Sequence, residues 1–259
     1  MVENATRLTI AMVHPQRYRI SIPLLILSLF LISVKGFSQA IGTDTSNVSP
    51  SLKNAIDYFK QSAGMQSILY SGVKHEGYAA DIQGTAYFMS EEWKRGNVYF
   101  DNILFNDVPL RYDELKDELL TLLPDGKIAI SLVGERVDRF TIEGHTFIRL
   151  DSNNNSLQGF YDLLRNGRTS VLVKRRKILN ENATRDGLIK NLLSQDKYYL
   201  KRGDKYFAVR SIGNVVDALS DKRNEIRMLI KNRKLDMKND PEGTLLEIAA
   251  HYDKLNTSI

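Results

Sequence analysis

The sequence predicts an α+β chain that is mainly β. The expected architecture is an antiparallel β-meander, a curved sheet or partial barrel, with a short N-terminal helix and a C-terminal helical annex. Three observations carry this. Between residues 67 and 210, short apolar or alternating runs are separated by turn dipeptides such as Asp101-Asn102, Glu143-Gly144 and Asn166-Gly167, and closely spaced hairpin signals favour antiparallel neighbours over long crossovers. After Ser211 the apolar spacing changes to that of helices. The chain has no cysteine, so its core must form without disulfide staples, which a chain of this length can do.

The elements follow in order. Pro50 opens a short amphipathic pattern with Leu52, Ile56 and Phe59 at helical spacing, ending near Gly64. Tyr70-Ser-Gly and Glu76-Gly punctuate the first pair of strands. Trp93-Lys-Arg-Gly-Asn leads into Val98-Tyr-Phe, and Asp101-Asn102 separates that strand from Ile103-Leu-Phe as a tight hairpin. Asn106-Asp107 is expected to turn the chain again, into Val108-Pro-Leu-Arg-Tyr112. Leu115, Leu119, Leu122 and Leu123 fit a helical face as well as a strand; the Pro124-Asp-Gly126 turn and the strand pattern after it favour strand for residues 114–123. Glu143-Gly144 then joins residues 139–142 to 146–150. Asn166-Gly167 joins residues 159–164 to a strand spanning 170–178, and Arg202-Gly-Asp204 joins 198–200 to 206–210. At the C-terminal end, Val215, Val216 and Leu219 make a helical turn, and Asp221 opens a helix bearing Ile226, Leu229 and Ile230. Asp240-Pro241-Glu242 is a helix start, with an Asp cap and proline at the first helical position.

The N-terminal segment is an address rather than part of the fold. Arg17-Tyr-Arg, the mostly apolar run over residues 22–34 and the small-x-small end at Ser38 and Ala40 have the grammar of a secretory signal peptide. The run is shorter than the ~20 apolar residues that span a bilayer. The expected division is therefore a leader over residues 1–40, with Met12 as an alternative start. A flexible lead-in at 41–51, a β-meander domain with its helix at 52–210 and helices at 211–259 packed on the sheet would follow. Without the leader the chain keeps 32 basic and 30 acidic residues. The basic character lies largely in the leader, and a nucleic-acid partner is not expected. A cysteine-free exported domain points to the periplasm, outer surface or surroundings of a Gram-negative cell, with no transmembrane segment in the mature chain.

Trp93-x-x-Gly96-x-Val98-Tyr-Phe, then Val108-x-Leu-x-Tyr112-Asp113 and Phe140-x-Ile, are followed by Gly159-Phe-Tyr, a basic strand, Tyr198-Tyr and the helices. Over nearly all of the mature chain this order resembles an uncharacterised family of secreted β-rich proteins of Bacteroidota. The resemblance implies the envelope location and the meander; it transfers no catalytic residue.

No motif for chemistry withstands inspection. Asp113, Glu114, Asp117 and Glu118 put four carboxylates within six residues, but neighbours along one segment suit a solvated face better than the two sides of a hydrolytic cleft. Ser71-Gly-Val-Lys74 and Ser194-Gln-Asp-Lys197 match the serine–lysine pattern of penicillin-recognising enzymes, yet no Lys-Thr-Gly accompanies them. His75, His145 and His251 have no second ligand at metal spacing. Asp236 to Glu247 imitates an EF-hand but puts Lys238 at a ligand position and Pro241 at the turn glycine. No catalytic residue, metal or cofactor is expected.

Two surfaces remain. Aromatics concentrate in the first half of the meander. Strand alternation turns Val98 and Phe100 one way and Tyr99 the other, so Trp93, Tyr99, Tyr112 and Asp113 form a candidate ligand or partner surface. Arg165, Arg168, Lys174 and Arg176 form a candidate basic patch for an anion, or else an edge strand guarded by charge. The expected function is a non-enzymatic envelope module, binding or structural, with a protein or glycan partner. The alternatives are a carrier of a lipid-like ligand under the helices and, behind it, a hydrolase using Asp113 or Glu118 with His145.

Overall fold

The computed structural model describes residues 49–62, 66–151, 157–185 and 187–256. The expected leader over residues 1–40, the alternative start at Met12 and residues 41–48 of the expected lead-in lie outside the described residues. The chain forms two compact units, Met1–Asn54 and Ala55–Ile259. Of the first, only residues 49–54 are described, at the start of helix α1 (Pro50–Ser62), the amphipathic segment expected there. The sheets and the other helices belong to the second unit.

That unit opens with the single turn α2 (Gln66–Leu69) and the short strands β1 (Val73–Lys74) and β2 (Ile82–Gln83). The meander follows as β3 (Lys94–Phe100), β4 (Ile103–Asp113), β5 (Glu118–Leu122) and β6 (Ala129–Ser131), then β7 (Val137–Ile142), β8 (His145–Leu150), β9 (Gly159–Arg165) and β10 (Thr169–Lys174). The chain continues through β11 (Lys177–Thr184), β12 (Gly187–Ser194), β13 (Lys197–Arg202) and β14 (Lys205–Val209). It ends in α3 (Ile212–Ala218), α4 (Arg223–Arg233) and α5 (Pro241–Leu255). An 11-stranded sheet runs in the order β1-β6-β5-β4-β3-β7-β8-β9-β10-β13-β14, and β11-β12-β2 form a second, 3-stranded sheet. Every neighbouring pair in the large sheet is antiparallel, so the mainly β antiparallel meander is the fold. The sheet is curved but not closed: β1 and β14 are its edges.

Local chemistry accounts for the turns. Asp101 and Asn102 adopt φ of 49° and 61°, the left-handed pair that a tight hairpin matching the strand twist requires. Glu143 and Gly144 repeat this at 52° and 79° between β7 and β8. The Asp240 side chain accepts the Gly243 N–H, with Pro241 next to it, and so starts α5.

Three expectations are corrected. Asn106-Asp107 does not turn the chain: β4 runs through it, pairing Phe105 with Val98 and Val108 with Gly96. One extra residue is absorbed as a bulge, with Asp107 in the left-handed region at φ 54°. Residues 170–178 are not one strand. The ladder breaks at Arg175-Arg176, where the Arg175 side chain turns inward, and β11 leaves for the second sheet with β12, a hairpin that was not expected. The basic strand is no edge either, because β10 lies between β9 and β13. In residues 114–123 the strand reading holds over Glu118–Leu122, preceded by a tight turn in which Asp117 has φ 61°.

Alternation sorts the side chains onto two faces. Val98, Phe100, Leu110, Tyr112, Leu119, Phe140, Phe147 and Phe160 share the inner face and are all buried. The curvature brings strands that are far apart in the sheet together there: the Tyr112 ring on β4 lies 4.8 Å from Phe147 on β8 and 6.1 Å from Phe160 on β9. Further along the same face, Val171, Leu200 and Val209 pack against Val215, Val216, Ile226, Leu245, Ile248 and Ala249 of the C-terminal helices. These helices therefore cover the last strands, and the space beneath them is filled by side chains.

Candidate functional site

The outward face of β3, β4 and β7 carries what the core does not absorb. Tyr99 stands opposite Arg139 on β7, and the Arg139 guanidinium sits 3.6 Å from the Tyr99 ring centre. One strand over, the Arg111 guanidinium lies 4.2 Å from the Trp93 ring and 4.6 Å from the Tyr87 ring. Both distances suit a cation–π pair. Trp93 and Tyr99 are half-buried and Arg139 is exposed, so both aromatics do face outward.

Tyr87 carries this strip on to a polar cluster. It makes an isolated bridge to Asp113, and its hydroxyl lies 3.2 Å from His75 Nε2. His75 Nδ1 is 3.7 Å from Glu118 Oε2, and His75 Nε2 is 3.9 Å from Asp113 Oδ2. The antiparallel pairing of Asp113 with Glu118 places both carboxylates on the same outward face. Tyr78 donates to Asp113 Oδ2 at 2.6 Å, and the Leu115 and Lys116 amides donate to Oδ1. Burial and the nearby Lys116 ammonium outweigh Asp113 and Glu118 and hold the His75 pKa below its ordinary value. Arg111 adds to the depression. His75 is therefore neutral at pH 7.

Beside this cluster opens a cleft of about 870 Å³, walled by Lys74, His75, Glu76, Glu118, Arg149 and Gly159 among others. Its floor is organised by Asp117, which binds Lys174 Nζ at 2.5 Å and accepts from the Tyr112 hydroxyl at 2.6 Å and from the Phe160 amide at 3.3 Å. Burial lowers the Lys174 pKa while Asp117 raises it, with burial the larger effect.

The four candidate surface residues separate accordingly. Trp93 and Tyr99 lie on the outward face. Tyr112 is fully buried in the core and cannot meet a partner; the outward-facing neighbour on its strand is Arg111. Asp113 faces outward but is fully buried beneath Tyr78 and Tyr87, so it shapes the surface without touching anything outside. The candidate basic patch does not assemble. Arg165 binds Asp253 at 2.6 Å, Arg168 donates to the Asn256 carbonyl at 3.0 Å, and Lys174 is held by Asp117. Of the four, Arg168 and Arg176 are exposed, and Arg176 joins Asp196 through its backbone amide.

The histidine assignment also changes. Asp113 and Glu118 meet His75, not His145. His145 Nδ1 lies 2.8 Å from Asp162 Oδ2, the same oxygen that takes the Arg175 guanidinium at 2.7 Å. The other face of the His145 site is the Phe88 ring at 5.0 Å. Ser71, the serine of the first serine–lysine match, donates to the Ile68 carbonyl and accepts from Arg136. No group of three potential metal ligands forms among the described residues.

Sequence reasoning missed His75, Tyr78, Tyr87, Arg111 and Arg139. Tyr78 and Asp113 are 35 residues apart, and His75 and Tyr87 belong to an irregular segment laid over the sheet. Only Arg111 had a usable signal, since it alternates with Leu110 and Tyr112 on one strand.

Compared with known proteins, the chain matches no family model, no curated protein and no solved structure. No helix among the described residues is long and apolar enough to cross a membrane.

The neutral His75 has a consequence for stability. Its folded pKa is depressed, so the unfolded chain binds the extra proton more readily as pH falls below the ordinary histidine value of about 6.5. His75 is expected to contribute no penalty above that pH and to destabilise the fold progressively below it. Urea midpoints at pH 7, 6 and 5 should fall, and His75→Gln should flatten the decline.

Proposed function

We propose that the protein is an exported, non-enzymatic binding module of the cell envelope that engages a protein partner through the outward face around Trp93, Tyr99, Arg111 and Arg139. The observation that carries this reading is the pairing of each outward aromatic with an arginine. Trp, Tyr and Arg are the residues that dominate the energetics of protein interfaces. Held against one another, these side chains have already lost much of the freedom that binding would remove. Export and the Gram-negative envelope rest on the leader grammar of residues 1–40 and the absence of cysteine.

The same pairing disfavours a glycan. A sugar ring would stack on the aromatic faces that the Arg111 and Arg139 guanidiniums already occupy at 4.2 Å and 3.6 Å. A hydrolase using Asp113 lacks support because that carboxylate is buried and accepts three hydrogen bonds. A lipid carrier would need an open apolar cavity, whereas Val171, Leu200 and Val209 meet the helices directly.

The test is native purification of the protein from its own cells, with mass spectrometry of what accompanies it. A stoichiometric protein partner is expected, with recovery falling at least tenfold for Trp93→Ala and for Arg139→Ala. A partner retained equally by both variants, or no partner at all, would contradict the reading.

A further inference from the structure

We propose that the protein forms a two-fold symmetric dimer in which β11 pairs antiparallel with β11 of a second copy, joining the two 3-stranded sheets into one. The starting point is the backbone. Among the described residues, β11 is the outer strand of its sheet, paired with β12 on one side only. The Thr184–Gly187 pair at the hairpin end fixes the phase of that ladder: hydrogen-bonded pairs alternate, so the even-numbered residues of β11 bond to β12. Leu179, Glu181 and Ala183 therefore direct their amides and carbonyls away from the sheet. Lys177 obeys the same phase, because its amide donates to the Glu114 carbonyl at 3.1 Å rather than to β12. The resulting open edge contains no proline, and its only side-chain charge beyond Lys177 is Glu181. Long edges are normally blunted by proline, lysine or a covering element.

The side chains around this edge are also unusual. Leu179, Leu188, Ile189 and Leu193 are exposed at 40, 55, 39 and 46 %, all on one hairpin. A line of outward amides and carbonyls is matched best by another strand, which favours a strand over a lipid or a glycan as the occupant.

A second copy is favoured because the edge can pair with itself without setting like charges opposite each other. An antiparallel pair on a two-fold axis must match outward residues with outward residues. With the axis at Asn180, Leu179 faces Glu181 of the second copy and Asn180 faces itself, a close pair in which two side-chain amides can bond. Leu179 then lies diagonal to its own symmetry mate, within reach for apolar contact. Moving the axis to Glu181 would set two carboxylates directly opposite each other, which is destabilising. The contact is isologous and closes on itself, giving a dimer and not a fibre.

Sedimentation velocity of the protein expressed as the full chain, across a hundredfold range of concentration, tests this. A reversible monomer–dimer equilibrium is expected. Glu181→Pro removes one outward amide and no bond to β12, and should abolish the dimer while leaving the circular dichroism spectrum unchanged. Asn180→Asp places two carboxylates face to face, and should raise the dimer dissociation constant at least tenfold at pH 7, with recovery as pH falls through the carboxylate range. A protein that is monomeric throughout, or a dimer indifferent to both substitutions, would overturn the proposal. So would a dimer disrupted by Trp93→Ala and not by Asn180→Asp, because it would place self-association on the other face.

Discussion

Gly159→Ala is expected to destabilise the fold by about 3–5 kcal/mol, combining a left-handed backbone strain with overpacking. Gly159 begins β9 at φ +90°, and a Cβ there would stand 1.8 Å from Asp117 Oδ2 and 2.6 Å from Lys174 Nζ. Neither neighbour is free to withdraw. Asp117 is held by Lys174, by the buried Tyr112 hydroxyl and by the Phe160 amide. Moving it would leave polar groups of the inner core without partners. The strand β9 meets the β4–β5 turn across this contact, so the curvature of the sheet depends on it. Urea unfolding should show a midpoint far below the parent, and a shift worth under about 1 kcal/mol, the size of an ordinary surface substitution, would mean that the contact is looser than described.

Asp162→Ala should cost about 3 kcal/mol, at the lower end for breaking a buried ion pair. Asp162 is 1 % exposed and binds both Arg175, through Nε at 3.0 Å and Nη2 at 2.7 Å, and His145. Removing it leaves a guanidinium with most of its surface out of water. The loss is moderated because Asp196 and Glu242 still hold the other end of Arg175, at 3.0 Å and 2.5 Å. Through these three carboxylates Arg175 ties β9, the β12–β13 connection and the start of α5 together. Glu242→Gln, at the solvent-accessible end of the network, should cost about 1 kcal/mol or less. Equal losses for the two substitutions would indicate that burial does not grade the network in this way.

The legible part of this fold was whatever neighbours in sequence decide. Asp101-Asn102 and Glu143-Gly144 announced their hairpins because the turn requires left-handed residues, and Asp240-Pro241 announced a helix because the cap and the proline act within one turn. The alternation of Val98, Tyr99 and Phe100 placed Tyr99 outward. Failures came where a local signal was overruled from a distance. Asn106-Asp107 reads as a turn but lies within a long strand that pairs with β3 both before and after it, so the surplus residue became a bulge. Lys174 and Arg175 read as a basic run, yet each is drawn to a carboxylate more than ten residues away, Asp117 and Asp162. The outward site was half visible for the same reason: Trp93 and Tyr99 lie on a patterned strand, whereas His75, Tyr78 and Tyr87 reach it from an irregular segment without periodicity.

The most direct test of the binding surface is site-specific photo-cross-linking in living cells. A photoreactive side chain at position 95 would sit on the outward face between Trp93 and Tyr99, where Arg95 is exposed and its contact with Asp107 is at the surface. The same group at Lys205, on β14, serves as the control. A discrete protein adduct from position 95 and none from position 205 is the expected result. Adducts of equal yield from both positions, or none from position 95, would contradict a partner at the aromatic–arginine face.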